Sequence, residues 1–366
     1  MLQPHAEPTV LAVTDVSSAS LVPSLKTRGR NIIAVVGDGM EFLEDAPREE
    51  QVSCSNLIEK AAALLLSASH VLVTCGAGIS KDAGLDTFED FKDGYRDLCD
   101  PASFAKDPDL CSSFWKDLSE KYSRAELHDG YLALERLLGK GDGGLLPNLE
   151  STWCYTSNVD GMMRRLSCFD EGEKVCEIHG NANNWVCSLA MGKSDDQVRI
   201  GKVWKDWNEK VEKSNCGASP SSCAARTTDC GSFCGCGLPR RPDVLFFNDT
   251  DAVVLSRINE ARDKYQQWEA LMEQDVAKGS KTMVILEVGC GTAVPSVRNE
   301  SYEVLRDVRN LGGKSFLVRI NVKDEGHVDG VDTENTFGDS ILSIRGKASS
   351  ALKQILDEIL LRRGEA

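Results

Sequence analysis

The run Val71-Leu-Val-Thr-Cys-Gly-Ala-Gly-Ile-Ser80 constrains the fold of this chain more than any other segment. A β-branched, apolar stretch stops abruptly at Gly76-Ala77-Gly78, which predicts a buried parallel strand turning straight into a helix. Glycines at such a turn let backbone N–H groups approach an anion at a helix N-terminus, where the dipole favours phosphate. The usual dinucleotide fingerprint has a third glycine, but Gly84 falls at the wrong spacing. It is expected instead to end a short helix, Ile79–Ala83, as its C′ residue. On this segment alone a plain tight turn remains an equal alternative.

The same rhythm recurs. Apolar strands are expected at Trp153–Tyr155, Val284–Val288 and Phe316–Ile320, running into Ser157, Gly289 and Asn321. Helical spacing is read over Gln51–Ser69, Pro101–Leu118, Asp129–Leu138 and Ala348–Arg363. Strands alternating with helices imply an α/β fold: a doubly wound, parallel Rossmann-like sheet. The stretch Cys187–Cys236 breaks this rhythm with Cys, Gly, Ser and charge, and reads as a small inserted Cys-rich lobe. The expected organisation is a largely disordered extension over 1–50, a nucleotide-binding domain formed by 51–186 and 237–366, and the lobe at 187–236. Within the extension, Ile32–Val36 followed by Gly37-Asp38-Gly39 is either an added strand or a fortuitous match.

Composition narrows the function. At 366 residues and 41% apolar, the chain can bury a large core. A net charge of −15 argues against direct nucleic-acid binding. No apolar run reaches the ~20 residues of a membrane span. Five of the fourteen cysteines crowd between Cys216 and Cys236, which fits metal binding in a reducing compartment better than disulfides. Cytoplasm or nucleus is expected, with the mitochondrion left open.

Further motifs follow in order: Thr156-Ser-Asn-Val-Asp-Gly161, Glu177-Ile-His-Gly180, Arg241-Pro-Asp-Val-Leu-Phe-Phe-Asn-Asp249 and Gly289-Cys-Gly-Thr-Ala-Val-Pro295. With the first loop and Asn321, this ordered set resembles the sirtuin family of NAD-dependent protein deacylases over roughly residues 52–362. It looks closest to a divergent microbial branch. The resemblance implies that His179 is the general base, a role suited to an imidazole with an ordinary pKa near 6.5. It implies that Asn158 and Asp160 line the nicotinamide and ribose pocket with Ile79, and Ser157 precedes them in the same loop. Gly76, Ala77, Gly78 and Ser80 would hold the pyrophosphate region, and Gly291, Thr292 and Asn321 the adenosine half. Phe88 would shield the reacting centre from returning nicotinamide. Val244–Asp249 would be the strand that pairs with extended substrate peptide.

The chain also departs from the family. Gly-Ile-Pro-Asp-Phe-Arg becomes Gly84-Leu-Asp-Thr-Phe-Glu89, so a glutamate replaces the arginine, with Lys81 or Lys92 as candidate compensating cations. Phe-Gly-Glu becomes Phe247-Asn248-Asp249, which is expected to reshape the acyl-lysine tunnel. Ala293 stands where a serine is common. The zinc pattern is irregular too. Cys187 and Cys236 match the first and last ligands, Ala190 replaces the second, and Cys230 and Cys234 complete the expected set, with Cys216 and Cys223 as spares. A structural zinc site and a decayed loop of reduced cysteines are the two readings.

The resemblance thus implies an NAD-dependent deacylase that acts on acylated protein lysine, with NAD as cofactor and structural zinc in a zinc-ribbon-like lobe. The rivals are an NAD-dependent ADP-ribosyltransferase or NAD hydrolase, and a non-catalytic NAD-binding module.

Overall fold

The computed structural model describes residues 33–36, 48–87, 90–91, 94–139, 144–191, 202–214, 223, 226–229, 233–323 and 340–365. Its centre is strand β2 (His70–Cys75), buried along its whole length. Alternation along this strand sends Val71, Val73 and Cys75 into one apolar cluster and Leu72 into another, as the two-residue period of a strand requires. A strand covered on both faces reads as a continuous apolar run, and that is why it was visible in the sequence.

Six further strands build a seven-stranded parallel sheet on β2: β1 (Ile33–Val36), β3 (Ser151–Thr156), β4 (Val175–Glu177), β7 (Thr282–Val288), β8 (Lys314–Asn321) and β9 (Ile341–Gly346). Their order is β1-β9-β8-β7-β2-β3-β4. The chain therefore winds one way from β2 through β3 to β4, and the other way from β7 through β8 to β9. The switch point lies between β2 and β7, where open α/β sheets bind ligands at the carboxyl ends of the strands. Register keeps those ends level, because Cys75 pairs with both Thr156 and Val288, and Val288 pairs with Ile320. Ile33–Val36 is an added edge strand beside β9.

Helices α1 (Arg48–Ser67), α5 (Asp129–Leu138) and α9 (Ala348–Arg363) pack together on one face. Leu57, Leu134 and Ile355 meet Val71 and Val73 there. Helices α7 (Ala252–Ala277) and α8 (Ser296–Asn310) cover the other, bringing Tyr265, Val304 and Leu305 against Leu72 and Tyr155. The doubly wound α/β class expected from the sequence is the fold observed.

Two expected helices differ in detail. Pro101–Leu118 is two helices, α3 (Pro101–Lys106) and α4 (Pro108–Arg124). Asp107, forced out of the helical region by the proline after it, sits at φ −138° and ψ 80°, and its carboxylate caps α4 by accepting from Leu110 N at 3.0 Å. The short helix after β2, α2 (Ala77–Lys81), begins two residues earlier than Ile79. Gly84 lies beyond it at φ +76°, with its N–H donating to Lys81 O at 2.9 Å.

Between β4 and α7 the chain leaves the main sheet. Strand β5 (Gly180–Cys187) pairs antiparallel with β6 (Arg240–Val244). The segment between them carries helix α6 (Lys202–Lys213), whose buried Trp204 and Trp207 anchor it to the main core, Trp207 meeting Phe104 edge-on at 6.4 Å.

Candidate active site

Two glycine loops meet at the switch point. Gly76 N–H donates to Val288 O at 3.1 Å and Gly78 N–H to Gly289 O at 2.9 Å. A Cβ at Gly289, which lies at φ +65°, would fall 2.3 Å from Ile79 N. A Cβ at Gly78 would lie 2.7 Å from Gly289 Cα. These glycines let one backbone pack directly on another, and the two amides that the sequence reading offered to a pyrophosphate already have carbonyl partners.

The loop after β3 closes on the first of these loops. Asn158 is buried; its Nδ2 donates to Gly76 O at 3.1 Å and to Ser80 Oγ at 3.0 Å. Ser80 Oγ in turn donates to Asp160 Oδ2 at 2.6 Å and lies 3.0 Å from the Tyr131 hydroxyl. Asp160 Oδ1 accepts from Met162 N at 2.8 Å. Burial raises the Asp160 pKa, opposed by the Ser80 and Met162 hydrogen bonds and the charge of Arg165. The Gly76 carbonyl fixes which end of the Asn158 amide carries nitrogen, so the other end, Oδ1, is a buried acceptor with no hydrogen-bond partner among the described residues.

His179 leaves the end of β4 beside this network. Thr156 pairs with Glu177, and Ile178 N donates to Thr156 O at 2.9 Å, which brings His179 level with the Ser157–Asn158 loop. Burial lowers the imidazole pKa below its ordinary 6.5, a hydrogen bond to the Ser157 backbone raises it and the Arg262 charge lowers it, with burial prevailing. The ring is thus neutral at pH 7. Its own carbonyl accepts from Leu245 N at 2.9 Å, tying it to the chain beyond β6.

The second loop is held from below. Asn321 Nδ2 donates to Cys290 O at 2.8 Å, and Arg298, buried on α8, donates to the same oxygen from Nε at 3.0 Å and Nη2 at 2.8 Å. Gly291 and the partly buried Thr292 follow beyond the carboxyl end of β7.

The regular strand expected over Val244–Asp249 ends at Val244. Beyond it the chain turns around Asn248, at φ +55°, and Asp249. Asparagine is among the residues best able to occupy that left-handed region in place of glycine, so the backbone bend survives the loss of the family glycine. The fully buried Arg241 holds this turn. Its Nη2 donates to Asp249 Oδ2 at 2.5 Å and to Val244 O at 2.8 Å, and its guanidinium lies 4.2 Å from the Phe246 ring centre. Asp249 also accepts from Phe246 N at 3.1 Å.

Of the expected ligands, Cys187, Cys234 and Cys236 come together, and the fourth member is Cys223, which the sequence reading held as a spare. Cys230, expected in that place, lies outside the described residues, as do Cys216, Phe88, Glu89 and Lys92. Lys81, offered as a compensating cation, is held by the Asp90 carboxylate at 2.8 and 3.0 Å. The four sulfurs lie within 4.8 Å of one another, with Cys187–Cys236 at 3.6 Å and Cys223–Cys234 at 3.7 Å. Zn–S bonds of about 2.3 Å in a tetrahedron place sulfurs about 3.8 Å apart, so this donor set fits zinc.

Sequence reasoning missed Glu177, Asn181 and Asn183. Asn181 Nδ2 donates to Glu177 Oε1 at 2.7 Å, Asn183 N donates to Asn181 Oδ1 at 2.9 Å, and Asn183 Nδ2 donates to Asp160 O at 2.8 Å. This relay ties the His179 strand to the Asp160 loop. Burial pushes the Glu177 carboxyl up to about 8 against the pull of Arg164. The polar residues flanking His179 were the available signal.

The pattern of the Sir2 family matches residues 76–274. The NAD-dependent protein deacylase of Deinococcus radiodurans is 32% identical over 131 residues, a match that spans 34% of this chain and only half of that protein. The NAD-dependent protein deacylase of Thermococcus kodakarensis is 27% identical over 309 residues, covering 83% of this chain and 96% of its own. A crystal structure of a Sir2 homologue–NAD complex superposes with a TM-score of 0.50 at 19% identity, over 84% of this chain and 95% of that one, and so shares the fold.

Proposed function

Because this chain belongs to the Sir2 family, we propose that it is an NAD-dependent protein deacylase that moves the acyl group of a modified protein lysine to ADP-ribose and releases nicotinamide. The observation that carries this reading is Asn158 Oδ1, a buried acceptor without a partner at the switch point of the sheet. An orphaned buried acceptor is costly, and the carboxamide N–H of a nicotinamide would satisfy it. NAD, when bound, supplies the ribosyl carbon that receives the acyl-lysine oxygen as nicotinamide departs.

The protein's own residues divide the remaining work. Asn158 holds the carboxamide while Ser80 and Asp160 keep the asparagine in place. His179, kept neutral by burial, accepts a proton from a ribose hydroxyl at a ring nitrogen. The chain from Leu245 to Asp249, braced by Arg241, lies beside His179 and offers backbone to an extended peptide. Gly291, Thr292 and Asn321 take the adenosine half, and Phe88 shields the reacting centre. Cys187, Cys223, Cys234 and Cys236 hold one zinc that braces the small lobe and takes no part in the chemistry. No described helix is long and apolar enough to cross a membrane.

The test is nicotinamide release from NAD by purified protein with acyl-lysine peptides, with unacylated peptides, and alone, with His179→Ala alongside. Release that requires acyl-lysine and disappears in the variant supports deacylation. Release without acyl-lysine would replace it with ADP-ribosyl transfer or NAD hydrolysis. Binding of NAD without release would leave a binding module.

A further inference from the structure

Four buried charged or polar side chains stand behind the second glycine loop. Glu287, near the end of β7, accepts from Arg319 Nε at 2.5 Å and Nη2 at 3.3 Å, and lies 3.7 Å from Arg298 Nε. Arg319 Nη2 also donates to the Tyr302 hydroxyl at 2.9 Å. All four are at most 7% exposed. Two guanidiniums therefore meet at one carboxylate. Arg298 directs two N–H groups at the Cys290 carbonyl, and Asn321 adds a third.

That convergence fixes a peptide plane. In a trans peptide the carbonyl and the following N–H point in opposite directions. With the Cys290 oxygen turned inward onto Arg298 and Asn321, the Gly291 N–H is turned outward. Gly291 is exposed, and a Cβ built on it would meet nothing within 4 Å. We infer that Arg298 is a positioning residue that presents the Gly291 amide to an anionic or hydroxyl-bearing part of the dinucleotide. Arg298 touches no ligand itself; it acts through the Cys290–Gly291 peptide. Asn321 Nδ2 holds the same Cys290 carbonyl from β8. This inference rests on the NAD reading of the site.

The experiment is calorimetric titration of ADP-ribose into the wild-type chain, Arg298→Lys and Arg298→Met, with a thermal melt of each. Arg298→Met is expected to weaken ADP-ribose about ten- to a hundredfold, the range for a lost charge-assisted hydrogen bond. Arg298→Lys keeps the charge and one donor and is expected to lose only a few-fold. Steady-state rates should show the NAD KM rising in step, with kcat at saturating NAD and the peptide KM unchanged, a split that general loosening of the core would not produce. Folded variants that bind ADP-ribose like wild type overturn the inference, as does a fall in kcat with the NAD KM unmoved. Should Arg298→Met fail to fold, Arg298→Lys decides by the same two readouts. Wild-type protein that binds no ADP-ribose overturns the NAD reading and this inference with it.

Discussion

The two glycine loops at the switch point are braced in opposite ways. The loop after β2 is held by short, uncharged or singly charged groups: the Asn158 amide, the Ser80 hydroxyl and the Asp160 carboxylate. The loop after β7 is held by a guanidinium and an amide pulling on one carbonyl from beneath. In the first, the braces are the residues proposed to meet the reacting end of the cofactor, so support and chemistry cannot be changed separately. In the second, the charged brace, Arg298, lies in the core and acts through the backbone of Cys290 and Gly291. The first design suits a site where charge changes during reaction. The second suits a handle that must only hold.

The severest break of this arrangement is Gly289→Ala, which serves both loops. The new methyl would press on the Ile79 backbone at 2.3 Å, from a backbone conformation that disfavours any side chain. Strain and overpacking together should cost on the order of 3–5 kcal/mol, read as a large fall in melting temperature and loss of ADP-ribose binding. Next comes Asn158→Ala. It removes the brace and the orphaned acceptor together, so nicotinamide release should fall roughly 10²-fold or more while ADP-ribose, which lacks nicotinamide, still binds. An equal loss of both would erase the distinction between the loops.

The zinc lobe offers an intermediate effect. Cys223→Ser should lose the one equivalent of zinc and lower the melting temperature, and Cys230→Ser should keep the metal, as checked by metal analysis and thermal melts of purified protein. For pH, a histidine whose folded pKa lies below 6.5 is neutral at pH 7 and gains its proton only on acidification. The kcat/KM profile should therefore be flat near neutrality and fall about tenfold per pH unit once below that depressed pKa. A fall that begins above pH 6.5 would contradict the burial of His179. The smallest effect is Asn248→Gly. Glycine relieves the left-handed strain at that position, so Asn248→Gly should be milder in a denaturant melt than Asn248→Val, which should cost about 1–3 kcal/mol.

Much of the fold was legible in the sequence, because a parallel strand covered on both faces announces itself as an apolar run ending in glycine. The ends of α5 and α9 were read to the residue. The break at Asp107 was written in Pro108 but was overridden by the helical spacing around it. The site was legible in part. His179, Asn158 and Asp160 stand in motifs that the sequence displays, and the structure brings them together at the carboxyl ends of β3 and β4. Arg298 and Glu287 were not legible, because a charged residue in a sequence reads as surface, and only tertiary pairing reveals that it is buried. Nor could spacing choose Cys223: which thiols meet depends on the path of an irregular segment with no periodicity to read.

Strand β4 is three residues long, and two residues beyond it β5 begins the small antiparallel sheet. His179 is one of those two residues, and its carbonyl is bonded to the returning chain at Leu245. His179 therefore stands at the junction between the two sheets. If the smaller sheet rocks, its cysteine cluster at the far end of β5 travels furthest and the imidazole least. A lobe mounted in this way could shift while His179 stays aligned with the carboxyl ends of the main sheet.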